Sequence, residues 1–252
     1  MGRAWRLLRS GAGAPDWNLA LDQALLASAD PRPVLRLYAW QPAGLSLGHF
    51  QPAAAFAEAA RAAGVAMVRR PTGGGAIHHD AELTFCLVAE PGRDGYPAGR
   101  LEGYRAVHAA VRAALATLGV PVELRGGDAP LSTRPRDAKL CFLDTTALDL
   151  VDADGRKLVG SAQRHREVDG RMRVLHHGSI PLEVPALSPG CGAVNPAAAR
   201  AGRPAVSWDA LADALERAFA EGLTGPLEPD DVHPGEHAAA ARLAPGLRAD
   251  PV

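Results

Sequence analysis

The 252-residue chain is poor in aromatics, in cysteine and, most unusually, in lysine. At 5% aromatic content, its core has to be built mainly from aliphatic residues and alanine. The three cysteines, Cys86, Cys141 and Cys191, show no C-x-x-C spacing. That excludes a disulfide framework and a cysteine zinc site, and leaves free thiols in a reducing compartment. No apolar run approaches the ~20 residues of a membrane span. The opening MGRAWRLLRSGAGAPDW has no signal-peptide core, so no membrane association and a cytoplasmic location are expected. A formal net charge of −1 gives no basic footprint for nucleic acid. Of the 27 basic residues only Lys139 and Lys157 are lysines. Arginine replaces lysine wherever a charge on a stem suffices, but not where an amine must share a proton. The two surviving lysines therefore draw attention, and both lie near Cys141 in the chain.

What is present is an ordinary globular composition, 47% apolar and 22% charged, of a length that suits one large domain. AWRLLRS reads as a strand, and after a turn at Gly11, Gly13 and Pro15, Asp16 is placed to cap a helix carrying Trp17, Leu21, Ala24, Leu25 and Ser28. Residues 34–40 and 44–48 read as strands and 53–63 as an alanine-rich helix closed by Gly64. Strands follow at 65–70, AIHH and LTFCLVAE, then the clearest helix, 101–118, with Val107, His108, Val111 and Leu115 on one face. The stretch 126–139 reads as a polar surface loop leading to Cys141. Three strands are expected at 147–151, 156–164 and 172–180, with a hairpin turn at Asp152–Gly155 and a helix over 207–221. Strands and helices without regular βαβ order predict a single α+β domain, a mixed sheet flanked by helices. Its span is set at residues 1–225, with 226–252 a loosely packed tail rich in Pro, Gly and Ala.

Four constellations carry chemistry. Arg69-Arg70-Pro71-Thr72-Gly73-Gly74-Gly75 runs into His78-His79-Asp80, and consecutive glycines let a ligand approach the backbone. The loop is neither a Walker nor a Rossmann signature. Lys139-Leu-Cys141-Phe142 places a thiol near an ammonium that lowers its pKa and favours the nucleophilic thiolate. Cys86, inside LTFCLV, reads as core, and Cys191, in SPGCGAVN, as an incidental exposed thiol. Lys157 precedes Gly160-Ser161-Ala162, small residues over which a slim chain can slide. Strict alternation would put Lys157 and Val159 on one face and Leu158 on the other. In Leu175-His176-His177-Gly178 the adjacent histidines face opposite ways on a strand, and with HEXXH absent no metal is expected.

Together, RRPTGGGAIHHD, KLCF, GRKLVGSAQ and LHHGSI resemble the lipoate/octanoate branch of the biotin/lipoate protein ligase superfamily, most closely octanoyltransferases of the LipM type, over residues 3–225. The resemblance implies a catalytic-domain fold shared with biotin ligases and class II aminoacyl-tRNA synthetases. It implies transfer of an octanoyl group from acyl carrier protein to a lysine of a lipoyl-domain protein such as the glycine-cleavage H protein. It makes Cys141 the acyl-carrying nucleophile and Lys157 the lysine that lowers that thiol's pKa. Arg69, Arg70, Thr72, Gly73, Gly74, Gly75, His79, Gly160, Ser161, Ala162, His177 and Gly178 become substrate-binding residues. A thioester donor is already activated, so no cofactor is implied.

Gly75 spells the loop GGG, as lipoate ligases also do, and the tail is short for the family. An ATP-dependent lipoate ligase is the alternative, disfavoured by the nucleophile-like Cys141 and by the absence of an accessory domain. A non-catalytic acyl-binding homologue is the other, and retention of Cys141 with Lys157 argues against it. The backbone N–H groups of either Gly73–Gly75 or Gly160–Ala162 would stabilise a tetrahedral oxyanion.

Overall fold

A computed structural model describes residues 3–126, 147–222 and 225–249. The chain runs β1 (Trp5–Gly13), α1 (Pro15–Leu26), β2 (Val34–Trp40), β3 (Gly44–Leu47), α2 (Ala57–Ala63), β4 (Ala66–Arg69), β5 (Ile77–His79), β6 (Glu82–Ala89) and α3 (Arg100–Thr117). It continues with β7 (Glu123–Leu124), β8 (Leu150–Val151), β9 (Lys157–Val168), β10 (Arg171–Pro181), α4 (Val194–Arg200), α5 (Trp208–Gly222), β11 (Leu227–Pro229) and α6 (Pro234–Leu243). An eight-stranded mixed sheet has the order β11-β1-β2-β6-β10-β9-β8-β7, and a three-stranded sheet the order β4-β3-β5. This is the α+β architecture expected.

Helices cover the large sheet on both faces, which explains why its central strands read as continuous apolar runs rather than as alternating ones. In β6, Leu83, Phe85, Leu87 and Ala89 join the core under α3 and α5, whereas Cys86 and Val88 join the core under α1 and α6. In β2, Leu35 and Leu37 face the first core and Val34, Tyr38 and Trp40 the second. The even-numbered face of β2 also carries Arg36, whose guanidinium is buried against Asp22 of α1 at 2.6 Å and lies over the Tyr38 ring at 3.8 Å. Burial pushes the Asp22 carboxyl up, but Arg36 and His177 more than offset this and hold it below its ordinary value.

Most expected elements are present, and the exceptions have physical causes. Helix α1 begins at Pro15, not after Asp16: its N-cap is Ala14, and proline's fixed φ suits the first helical position. Asp16 instead accepts the Trp17 N–H and pairs with Arg248. Strand β1 runs on through Gly13, because Gly11 (φ 65°) absorbs a register shift against β2. The strand expected at 147–151 is only Leu150–Val151. Cys191 is buried, not exposed. Its turn is pressed onto β9, where Gly192 donates to the Lys157 carbonyl and a Cβ would be tight, at 3.1 Å from the Arg156 carbonyl and from Asp152 Oδ2.

The tail does not pack loosely. β11 pairs in parallel with β1, and α6 docks on α1 with Ala240 fully buried. A His233–Glu236 capping box starts α6, and the same Glu236 receives a bidentate bond from buried Arg6 at 2.6 and 2.9 Å. Burial raises the Glu236 carboxyl, yet Arg6, the His233 N–H and Ser28 together leave it below its ordinary value. Glu236→Ala removes the bidentate partner of the Arg6 guanidinium, leaving Asp230, the Asp231 carbonyl and the more distant Asp30, and is expected to cost about 3 kcal/mol, the low end for breaking a buried pair. Urea denaturation measures it, and a loss below about 1 kcal/mol would show that α6 is held by packing instead.

Candidate active site

A cavity of about 710 Å³ lies where the small sheet meets the large one, within the size range of small-molecule sites. Arg70, Gly73 and Gly74 of the glycine loop are among its lining residues. The Arg70 guanidinium is buried and donates to the carbonyls of Ser46, Gly73 and Gly75 at 3.0, 2.9 and 2.6 Å. Five donors in a fixed fork let one side chain tie a loop that has few backbone partners of its own. Gly74 adopts φ 96°, which side-chain-bearing residues rarely do, and the Gly74 carbonyl lies so close to Gly48 that a Cβ there would clash with it. On the far side of this loop, Thr72 Oγ1 bonds His177 Nε2 at 2.8 Å, and His177 Nδ1 reaches Asp22 at 3.3 Å. The loop is thereby anchored to the buried Arg36–Asp22 pair.

A polar cluster centred on buried Glu82 forms another wall. Glu82 accepts from Thr84 Oγ1 at 2.5 Å, from Ser179 Oγ at 2.5 Å and from His79 Nδ1 at 2.8 Å. His79 Nε2 meets Ser46 Oγ at 2.7 Å, and its ring stacks on Trp40 at 3.7 Å and 4°. Trp40 Nε1 donates to Thr84, so the aromatic surface it presents to the cavity is held in one orientation.

Lys157 is 2% exposed and places its Nζ 3.0 Å from Asp149 Oδ2 at the cavity wall. Strict alternation does not hold here. Leu150 pairs with Val159 but Val151 pairs with Lys157, so β9 carries one extra residue. A bulge resets the pleat. Leu158 and Val159 both enter the core, and the Lys157 stem crosses over Gly160. A Cβ on Gly160 would stand 2.6 Å from Lys157 Cε and 2.9 Å from Nζ. The space over Gly160 is taken by the lysine's own stem.

Of the residues expected at a site, Arg70, Gly73, Gly74, His79, Lys157, Gly160, Ser161, Ala162, His177 and Gly178 line the cavity. Arg69, Thr72 and Gly75 do not: Arg69 donates to the carbonyls of Gly48, His49 and Gln51, and Thr72 is spent on His177. His176 and His177 face opposite ways, as expected, the first toward Tyr96 and Ser161 and the second toward Thr72 and Asp22. Cys141, Lys139 and Phe142 lie outside the described residues. The sequence reading missed Asp149 and gave His108, Tyr104, Trp40 and Glu82 no role at the site. Asp149 stands in an unremarkable LDLVD run, and the others converge only through the fold.

Residues 14–221 match the lipoyl protein ligase A/B catalytic domain. The chain is similar to octanoyltransferase LipM of Kyrpidia tusciae, 34% identical over 98% of this chain and 97% of that one. It is 38% identical to octanoyltransferase LipM of Symbiobacterium thermophilum over 71% of this chain, a match that spans 66% of that relative's length. Among solved structures, lipoate-protein ligase A bound with ATP superposes with a TM-score of 0.75 at 23% identity, covering 99% of this chain and 100% of that one. A bi-partite lipoate protein ligase from Thermoplasma acidophilum gives 0.71 at 23%, covering 99% and 98%. At those identities the two structures speak for the fold alone.

Two outcomes test this geometry. Gly178→Ala would drive a methyl into the Phe85 ring and the Gly160 carbonyl and should cost about 1–3 kcal/mol, as overpacking does. Gly160→Ala meets only the end of the Lys157 side chain, so it should cost less while pushing the ammonium off Asp149. Chemical denaturation of both variants checks this, and an equal or reversed ranking would contradict it.

Stability should also fall on acidification. Burial holds His78, His108, His165 and His176 below the ordinary histidine value of 6.5. Each is neutral in the native state while the unfolded chain takes up a proton below pH 6.5, so stability is full above that pH and is lost as pH drops toward the native values. A urea midpoint that rises between pH 7.5 and 5.5 would contradict the burial of these rings.

Proposed function

The chain belongs to the lipoyl protein ligase A/B catalytic-domain family, and on that premise we propose that it is an octanoyltransferase of protein lipoylation. It takes the octanoyl group from a carrier-protein thioester and passes it to a lysine of a lipoyl-domain protein such as the glycine-cleavage H protein. The relatives named octanoyltransferase LipM support this reading. The observation in the fold that carries it is Lys157, buried at the cavity wall beside Asp149 in a chain with only one other lysine.

In this reading the Cys141 thiolate attacks the thioester carbonyl, the carbon–sulfur bond to the carrier breaks, and the carrier thiol leaves with the proton that the Lys157 ammonium gives up, which leaves Lys157 as the neutral amine. The acyl chain lies against Trp40, Leu19 and Ile77 in the cavity. The acceptor amine then attacks the Cys141 thioester, an amide forms, and Cys141 is released as thiolate. The proton lost by the amine goes to Lys157. Two successive acyl exchanges let one cavity serve two protein partners in turn. Thiol chemistry of this kind suits the cytoplasm, and the two described cysteines, Cys86 and Cys191, are both free and buried. Burial raises the Cys86 thiol well above its ordinary value and the Cys191 thiol to about 11, so neither is a thiolate at neutral pH.

Octanoyl transfer to a lipoyl domain should proceed from octanoyl-carrier protein with no nucleotide present. Modification that appears only with ATP and free octanoate or lipoate would establish the ligase reading instead. Lys157→Arg keeps the charge but cannot take up the amine proton, because the guanidinium stays protonated. It should slow acyl transfer to the acceptor by ~10²-fold, the low end for general acid–base catalysis, and slow acylation less. Single-turnover rates separate the two steps, and unchanged transfer in Lys157→Arg would reduce this lysine to a charge.

A further inference from the structure

Beside the Lys157–Asp149 pair runs a line of buried and half-buried polar groups contributed by the loop before α3, by α3 itself, and by β9 and β10. Its members are Tyr96, His176, Ser161 and His108, and it ends on the Leu148 carbonyl. His108 and His176 are 1% and 0% exposed. A carbonyl only accepts, so His108 Nδ1 donates to Leu148, which it reaches at a very short distance. In a neutral imidazole the other nitrogen then accepts, and its partner is Ser161 Oγ–H at 2.8 Å. Ser161 Oγ in turn accepts from His176 Nε2–H at 2.9 Å. His176 Nδ1 is left as acceptor, and it faces the Tyr96 hydroxyl at 3.0 Å and the Gln163 amide at 3.3 Å. Every donor and acceptor in the line points one way, so each tautomer is determined by the next.

The fold makes room for this line at some cost. Gly103 lies inside α3, where glycine is unfavourable by about 1 kcal/mol relative to alanine. A Cβ there would stand 2.8 Å from the Tyr96 hydroxyl and 3.0 Å from Gln163 Nε2. Leu148 immediately precedes Asp149, whose own carbonyl accepts from the Arg125 N–H at 3.1 Å. The backbone is thus held on both sides of the Asp149 carboxylate that meets Lys157.

We propose that His108 is a positioning residue: held in one tautomer by Ser161 and His176, it fixes the Leu148 carbonyl and so aims the Asp149 carboxylate at the Lys157 ammonium. Its catalytic consequence rests on the reading of Lys157 as the group that takes the acceptor's proton. The placement itself does not, and is tested separately.

Two lysines in the whole chain make the test direct, because biosynthetic ε-¹³C-lysine labelling gives two resonances and Lys157→Arg assigns them. Asp149 favours the charged ammonium. Loosening it in His108→Ala should move the Lys157 titration midpoint down by about one pH unit, with the Lys139 midpoint unmoved. His108→Asn retains a donor for the Leu148 carbonyl and should bring most of that shift back. In single-turnover transfer, His108→Ala should lower the maximal rate about 10-fold with the KM for acyl donor within 2-fold, and the asparagine variant should recover to within about 3-fold. If His108→Ala does not fold, Ser161→Ala cuts the line one bond earlier and should move the same midpoint in the same direction. A Lys157 midpoint unchanged in folded His108→Ala and Ser161→Ala overturns the proposal. So does an asparagine variant no closer to wild type than the alanine one. A shifted midpoint with unaltered transfer rates would keep the placement and overturn instead the role given to Lys157.

Discussion

An ammonium group taken out of water has to be answered by a carboxylate in contact with it, and in this chain that demand organises one side of the cavity. Lys157 meets Asp149 at 3.0 Å with both side chains almost fully buried. Satisfying the pair requires a bulge in β9 to bring Lys157 onto the face of Gly160, a glycine there to leave the stem a path, and a short β8 to deliver Asp149. Isolated buried charges cost several kcal/mol each, so these features stand or fall together. A buried pair of this kind adds little to stability compared with apolar packing. Its retention beside a cavity fits a lysine kept for its proton rather than for its charge.

The opposite wall obeys the same rule with other groups. Arg36 and Asp22 form a second buried pair between β2 and α1, and His177 extends it to Thr72 in the glycine loop. Arg70 then closes the loop on its own carbonyls. A glycine-rich segment has the most conformational freedom to lose on folding. Here it is held by side chains on either side of it, which leaves its backbone available to line the cavity. The mixed sheet supplies the rigid frame, since its central strands are packed on both faces and offer little room to shift.

Much of this was legible in the sequence, and what was not has physical reasons. The strands of the large sheet were marked by apolar runs and turns, and α2 by Gly64, whose φ of 66° only glycine adopts freely. The small residues Gly160, Ser161 and Ala162 marked a stretch of strand with room beside it, but strict alternation gave the wrong faces because a bulge leaves no mark in composition. The turn-like neighbours of Cys191 suggested exposure, yet Gly192 is a glycine because the turn lies against β9. The tail reads as loose since its anchor, Arg6 to Glu236, spans almost the full chain length. Asp149 and His108 escaped notice for the same reason: a carboxylate in a strand-like run and a histidine on a helix face gain meaning only when Ser161 and Lys157 are brought beside them.

In the proposed reaction, acyl transfer proceeds through a thioester on Cys141 under the influence of buried Lys157. The most direct measurement is intact-mass and peptide analysis of the protein after incubation with octanoyl-carrier protein in the absence of ATP. One octanoyl group on the peptide containing Cys141, labile to hydroxylamine and lost in Cys141→Ala, is expected. An adduct on Cys86 or Cys191, or continued turnover by Cys141→Ala, would contradict it.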